Sequence, residues 1–214
     1  MARKSKKEYL LDSGIVGVVR TNSSEKLINV ACALKKGGVR CIEIAMTTPD
    51  ALSVIKEVSE KIEDVLVGAG TVLDAETARS AILAGAEYLV SPTTDMDMIK
   101  MCKRYDKVVA PGAFTPSEIM TAWQAGADFV KVFPASRLGP KFISDVKAPL
   151  PQVSLMPTGG VGEENAQDFI EAGADVLCVG SALLDKKAMQ KGNYNVITKN
   201  AKNLVEAVKK GRGD

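Results

Sequence analysis

The sequence predicts an α/β fold, a single-domain (β/α)8 TIM barrel with a short N-terminal helix. Three observations predict it. Eight short apolar runs recur along the chain, helical patterns lie between them, and one small-residue signature repeats at an interval with room for two βα units.

The runs are 14–20, 41–46, 65–70, 88–92, 108–113, 129–134, 154–159 and 176–181. Near-continuous apolar segments of this length read as parallel strands buried on both faces. Between them, 50–62 places Leu52, Ile55 and Val58 at spacings of three, and 74–85 places Ala78, Ile82 and Leu83 on one face. Thr115-Pro116-Ser117-Glu118 offers an N-cap, a proline at the first helical position and an acid at the third. Gly37-Gly38, Gly85, Gly126 and Gly173 end helices, as left-handed C-caps do. Ala84-Gly85-Ala86-Glu87, Ala125-Gly126-Ala127-Asp128 and Ala172-Gly173-Ala174-Asp175 each close a helix and open a strand, and Gly37-Gly38-Val39-Arg40 is a degenerate fourth copy. A short helix over 3–12 precedes the first strand and a long one over 195–211 closes the chain. No linker interrupts it, so residues 1–214 read as one domain. A doubly wound open sheet is the alternative, but no G-x-G-x-x-G follows the first strand.

Composition narrows the function. The formal charge is +2, from 28 basic and 26 acidic residues, which leaves no footprint for nucleic acid or membrane surface. The basic start lacks a following apolar region, and no run of about 18 apolar residues exists, so neither a signal peptide nor a membrane span is expected. Cys32, Cys41, Cys102 and Cys178 form no C-x-x-C pair and read as small buried hydrophobes in a reducing, cytoplasmic compartment. The closing Arg212-Gly213-Asp214 reads as a chance tripeptide. Histidine is absent, which removes the commonest general base and metal ligand. Asp95 and Asp97, beside Met96 and Met98, read as a solvated helix start, and no metal site is expected.

In such a barrel the chemistry sits at the C-terminal ends of the strands. Lys131 stands near the end of the sixth run, between Val130 and Val132 with Phe129 and Phe133 beyond. Burial there disfavours the ammonium form and leaves an amine able to form an imine with a ketone, whereas an outward lysine would only snorkel. Glu43, between Ile42 and Ile44, is costly to bury unless paired or functional, so it reads as a proton shuttle or as the structural ion-pair partner of an interior cation. Side-chain alternation lets both point inward. Arg20 ends the first run and suits a carboxylate, and Thr71, after Gly68 and Gly70, could bind the same group where glycine allows close backbone approach. Gly159-Gly160 and Gly180-Ser181 follow the seventh and eighth runs, the loops that bind phosphate in barrels. Pro92, Pro111 and Pro134 shape the rim.

These segments together resemble the 2-keto-3-deoxy-6-phosphogluconate (KDPG) and 4-hydroxy-2-oxoglutarate (KHG) aldolase family. The likeness runs from about Gly14 to Leu184. It is carried by Val18-Val19-Arg20, Ile42-Glu43-Ile44, Val67 to Val72, Val90-Ser91-Pro92, Ala110-Pro111-Gly112, Val130 to Pro134, Met156 to Val161 and Val179-Gly180-Ser181. The resemblance implies a class I aldolase with a Schiff base on Lys131, proton transfer by Glu43, carboxylate contacts near Thr71, and phosphate contacts at Thr158, Gly159, Gly160, Gly180 and Ser181. Pro92 and Phe133 complete the implied substrate contacts. It also implies a phosphorylated keto-acid substrate, a homotrimer, and neither metal nor organic cofactor. One position departs: many members carry an arginine four residues after the glutamate, where this chain has Thr47. The carboxylate then depends on Arg20, Thr47 and Thr71, and a galactonate-configured or unphosphorylated substrate stays open. A phosphate-binding barrel isomerase, without an imine, and a sugar-phosphate binding module, without turnover, are the competing readings.

Overall fold

A computed structural model describes residues 4–21 and 26–213. Residues 1–3 of the basic start and Asp214 of the terminal tripeptide lie outside them. The elements alternate along the chain: α1 (Lys6–Ser13), β1 (Ile15–Val19), α2 (Leu27–Lys36), β2 (Cys41–Ala45), α3 (Ala51–Lys61), β3 (Leu66–Gly70), α4 (Ala75–Leu83), β4 (Tyr88–Val90), α5 (Met96–Arg104), β5 (Val108–Ala110), β6 (Gly112–Ala113), α6 (Pro116–Gln124), β7 (Val130–Val132), α7 (Gly139–Lys147), β8 (Leu155–Pro157), α8 (Ala166–Glu171), β9 (Leu177–Val179), α9 (Lys186–Gln190) and α10 (Tyr194–Arg212).

All strand pairs are parallel. One sheet has the order β5-β4-β3-β2-β1-β9 and a second has β6-β7-β8. The first is a half-barrel in which the last strand returns beside the first. Sequential order without a reversal argues against the doubly wound alternative, which needs a switch point. The fifth apolar run, expected as one strand, is two: Pro111 has no N–H to give, and its carbonyl instead accepts from Lys131 N at 2.8 Å. The two sheets also exchange backbone contacts. Val109 O accepts from Asp128 N (3.0 Å), Leu155 O accepts from Asp175 N (3.0 Å), and Thr158 bridges to Cys178.

Alternation along the strands divides the apolar residues into two cores. Ile42, Ile44, Val67, Ala69, Leu89, Val130, Leu155 and Val179 pack outward under the helices. Val16, Cys41, Leu66, Tyr88, Val90, Phe129, Met156 and Cys178 pack inward, toward one another, and Leu10 of α1 joins them. Ser5 and Glu8 form a capping box that starts α1, and Thr115 and Glu118 form the expected one at α6. Such caps contribute about 1 kcal/mol each.

The repeated signature has a structural reason. Gly85, Gly126 and Gly173 adopt φ of 110°, 97° and 100° to end their helices. The acid that follows pairs with a lysine: Glu87 with Lys107 (3.0 Å), Asp128 with Lys103 (3.0 Å) and Asp175 with Lys147 (2.8 Å). Asp128 and Asp175 also accept from the N–H of Val109 and Leu155, fastening each strand to its neighbour.

Three expectations on burial are corrected. Cys32 is exposed, since α2 turns that position away from the sheet. Leu52 and Leu83 are also exposed. The buried stripe of α3 is Ala51, Val54, Ile55 and Val58, and that of α4 is Ala78, Ala81 and Ile82. In both helices the stripe that meets the strands lies one position away from the chosen leucine. No helix among the described residues is long and apolar enough to cross a membrane.

Candidate active site

Lys131 and Glu43 both point to the inner face, near enough for the charge of Lys131 to bear on the Glu43 carboxyl. Each stands two residues after an inward neighbour, Phe129 before Lys131 and Cys41 before Glu43. They are 4% and 2% exposed, among the few buried polar residues of the chain. Burial raises the proton affinity of the Glu43 carboxyl. The positive charges of Lys131 and then Arg20 oppose it, and burial prevails. Cys178 places its thiol 4.0 Å from Glu43 Oε2, as a weak donor. The ring of Phe133, 38% exposed at the rim, lies 4.7 Å from Lys131 Nζ, a cation–π distance. Lys131 thus lies against an aromatic wall, on the same inner face as the buried acid.

The glycines of β3 serve a purpose other than the one expected. The sequence reads Gly68 and Gly70 as allowing close backbone approach for the substrate carboxylate. Instead a Cβ on Gly70 would overlap the Glu43 carboxyl, and one on Gly68 would overlap the Tyr88 ring. Protein side chains occupy both spaces. Glu43, Gly68 and Tyr88 are register partners on three adjacent strands, so the missing side chain in the middle lets the outer two converge.

Arg20 and Thr71 come together at the rim, with Arg20 Nη2 donating to Thr71 Oγ1 at 3.2 Å. Thr71 has φ 59°, an unusual conformation for a β-branched residue that ends β3 abruptly. Thr47 is exposed in the turn after β2, and the neighbouring Thr48 is buried. Pro92 is half-buried after β4 and packs so tightly on Gly112 that a Cβ there would strike its carbonyl.

The bridge between Thr158 and Cys178 sets the loops after β8 and β9 side by side. Gly159 and Gly160 turn with φ 87° and 76°, and a Cβ on Gly160 would strike Ser136. Gly160 and Ser181 are exposed and Gly180 is half-buried. Thr158 is buried and its hydroxyl donates to Met156 O at 3.1 Å, so that donor serves the fold. Asp95 and Asp97 are helix-start residues: Asp95 accepts from Met98 N, and Asp97 pairs with Lys100.

Sequence reasoning missed two members of the inner face, Tyr88 and Cys178. Only strand register could have found them.

The family model for KDPG and KHG aldolases matches residues 7–200. The KHG/KDPG aldolase of Escherichia coli K12 is 33% identical over 209 residues, 96% of this chain and 98% of that one. The structure described as native KDPGal has a TM-score of 0.86 and 28% identity, covering 94% of this chain and 96% of its own. The 2-keto-3-deoxy-6-phosphogluconate aldolase of Zymomonas mobilis ZM4, solved with 3-phosphoglycerate, has a TM-score of 0.85 and 26% identity, covering 94% and 95%. With a buried acid and a buried amine on one inner face, these likenesses settle the family: the chain belongs to the KDPG and KHG aldolases.

Proposed function

We propose that this chain is a class I aldolase that cleaves 2-keto-3-deoxy-6-phosphogluconate to pyruvate and glyceraldehyde 3-phosphate through a Schiff base on Lys131. The observation that carries the reading is the buried Lys131 on the same inner face as the buried Glu43, whose proton affinity burial raises. The amine attacks the C2 ketone to give a carbinolamine. Glu43 gives its proton to the departing hydroxyl, and an iminium forms. Glu43, now a carboxylate, takes the C4 hydroxyl proton as the C3–C4 electrons flow into the iminium, and the aldehyde leaves. The same proton returns to C3 of the enamine, and water frees pyruvate. Raised proton affinity suits a group that must start as an acid and recover a proton in mid-cycle.

Arg20, Thr47 and Thr71 hold the carboxylate at the rim, with the guanidinium fork supplying the charge. Phe133 and Pro92 wall the carbon chain. Gly159, Gly160, Gly180 and Ser181 receive the phosphate, and Thr158 aligns that loop. The same machinery accepts 4-hydroxy-2-oxoglutarate, which lacks the phosphate and yields pyruvate and glyoxylate. The galactonate-configured relative is the second reading, favoured by the likeness to the KDPGal structure.

The two sheets are parts of one (β/α)8 wall, joined where Asp128 and Asp175 meet β5 and β8, and the chain forms one domain. It works in the cytoplasm as a homotrimer. Leu73, Met96 and Phe114, exposed on three successive rim segments, support a self-association face. The test of function is pyruvate release measured on gluconate-, galactonate- and hydroxyoxoglutarate-type substrates, with borohydride trapping of pyruvate on the protein. Absence of both release and trapping would refute it.

A further inference from the structure

Tyr88 is 1% exposed on the inner face, and its hydroxyl has no hydrogen-bond partner among the described residues. A buried hydroxyl without a partner is costly in a native structure and calls for a reason. Its ring lies across Gly68, the residue in register between Tyr88 and Glu43, and so reaches toward β2. Burial, and then the charges of Cys41, Glu43 and Cys178, raise the proton affinity of its phenol. An unused O–H donor therefore shares the inner face with the buried Glu43 carboxyl, one strand removed from it.

We infer that Tyr88 is a positioning residue for Glu43, whose hydroxyl donates to that carboxyl when it becomes a carboxylate during turnover. This rests on the reading that Glu43 carries the proton. While Glu43 is protonated the phenol gains little from it. Once the proton has moved, burial penalises the new negative charge, and a phenol donor compensates more than the thiol of Cys178 can. The other groups facing Glu43 are Lys131 from β7, Arg20 after β1, Cys178 from β9 and Cys41 on its own strand, while β3 offers only glycines there. None of these is a neutral oxygen donor, which Tyr88 supplies.

The test compares wild type, Tyr88→Phe and Glu43→Gln. Phenylalanine keeps every ring contact, so the fold should survive. Tyr88→Phe should lower kcat by roughly ten- to a hundredfold, the size expected for one hydrogen bond to a charged group, with KM unchanged. The alkaline limb of its kcat/KM profile, set by loss of the Glu43 proton, should move to higher pH, because the carboxylate has lost a donor. Biosynthetic 3-fluorotyrosine, a stronger donor, should move that limb to lower pH in wild type. This arm stands even if the phenylalanine variant fails to fold. Superimposable pH profiles, with Glu43→Gln inactive, would overturn the role of Tyr88 alone. A fully active Glu43→Gln would overturn the proton-carrier reading and this inference with it.

Discussion

The Glu43 carboxyl fills the space that a side chain on Gly70 would take. An acid on one strand is therefore placed by the absence of a Cβ on the next. Gly70→Ala should displace the carboxyl while leaving the strand intact. Turnover should fall by on the order of 100-fold, the cost of misplacing a reacting group by about an ångström. A pyruvate-release assay checks this, and near-normal turnover would show that the carboxyl position does not matter.

Lys131 should be the labelled residue when borohydride is added with pyruvate. Peptide mass mapping should find the reduced adduct there and nowhere else, and Lys131→Met should take no label. A label on another lysine would refute the assignment.

Glu43→Gln should bind pyruvate and still be trapped, though more slowly. Its turnover should fall by about 10²–10⁴-fold, the usual worth of a positioned acid–base group.

The same variant has a stability signature. Burial raises the folded-state proton affinity of Glu43, so its contribution to stability is present in full below the unfolded carboxyl value and is lost as pH rises through the folded one. Glutamine does not titrate. The melting temperature of Glu43→Gln relative to wild type should therefore climb as pH rises from about 4 to 8, since unfolded glutamate titrates near 4.3. A flat difference across that range would mean that burial does not hold the proton on Glu43.

Gly160→Ala forces a Cβ against Ser136 at a φ of 76° and should disturb the loop after β8. KM should rise for the phosphorylated substrate and stay unchanged for 4-hydroxy-2-oxoglutarate, because only the former places an anion there. Equal changes for both would argue against a phosphate role for this loop.

Much of this was legible in the sequence, and for a physical reason. Strands buried on two faces must be apolar throughout, so a charged residue inside one is conspicuous, and Lys131 and Glu43 stand out in that way. Helix ends need left-handed residues, so Gly85, Gly126 and Gly173 announce them. Pro111 could have forecast the split of the fifth run, because it lacks an N–H. By contrast, Leu52 and Leu83 misled, because a helical stripe fixes a face only to within one position until the neighbouring strand is known.

What the sequence by itself determined was the alternation of strands and helices and the presence of a buried carboxyl at Glu43 and a buried amine at Lys131. These follow from local periodicity and from the cost of burying charge. Tertiary structure alone decided that the glycines of β3 make room for Glu43 and Tyr88 instead of substrate, that Cys178 donates toward the acid, and that Arg20 reaches Thr71. Such facts depend on register between strands far apart in the chain, and no local pattern encodes which side chain will fill the space that a distant glycine leaves.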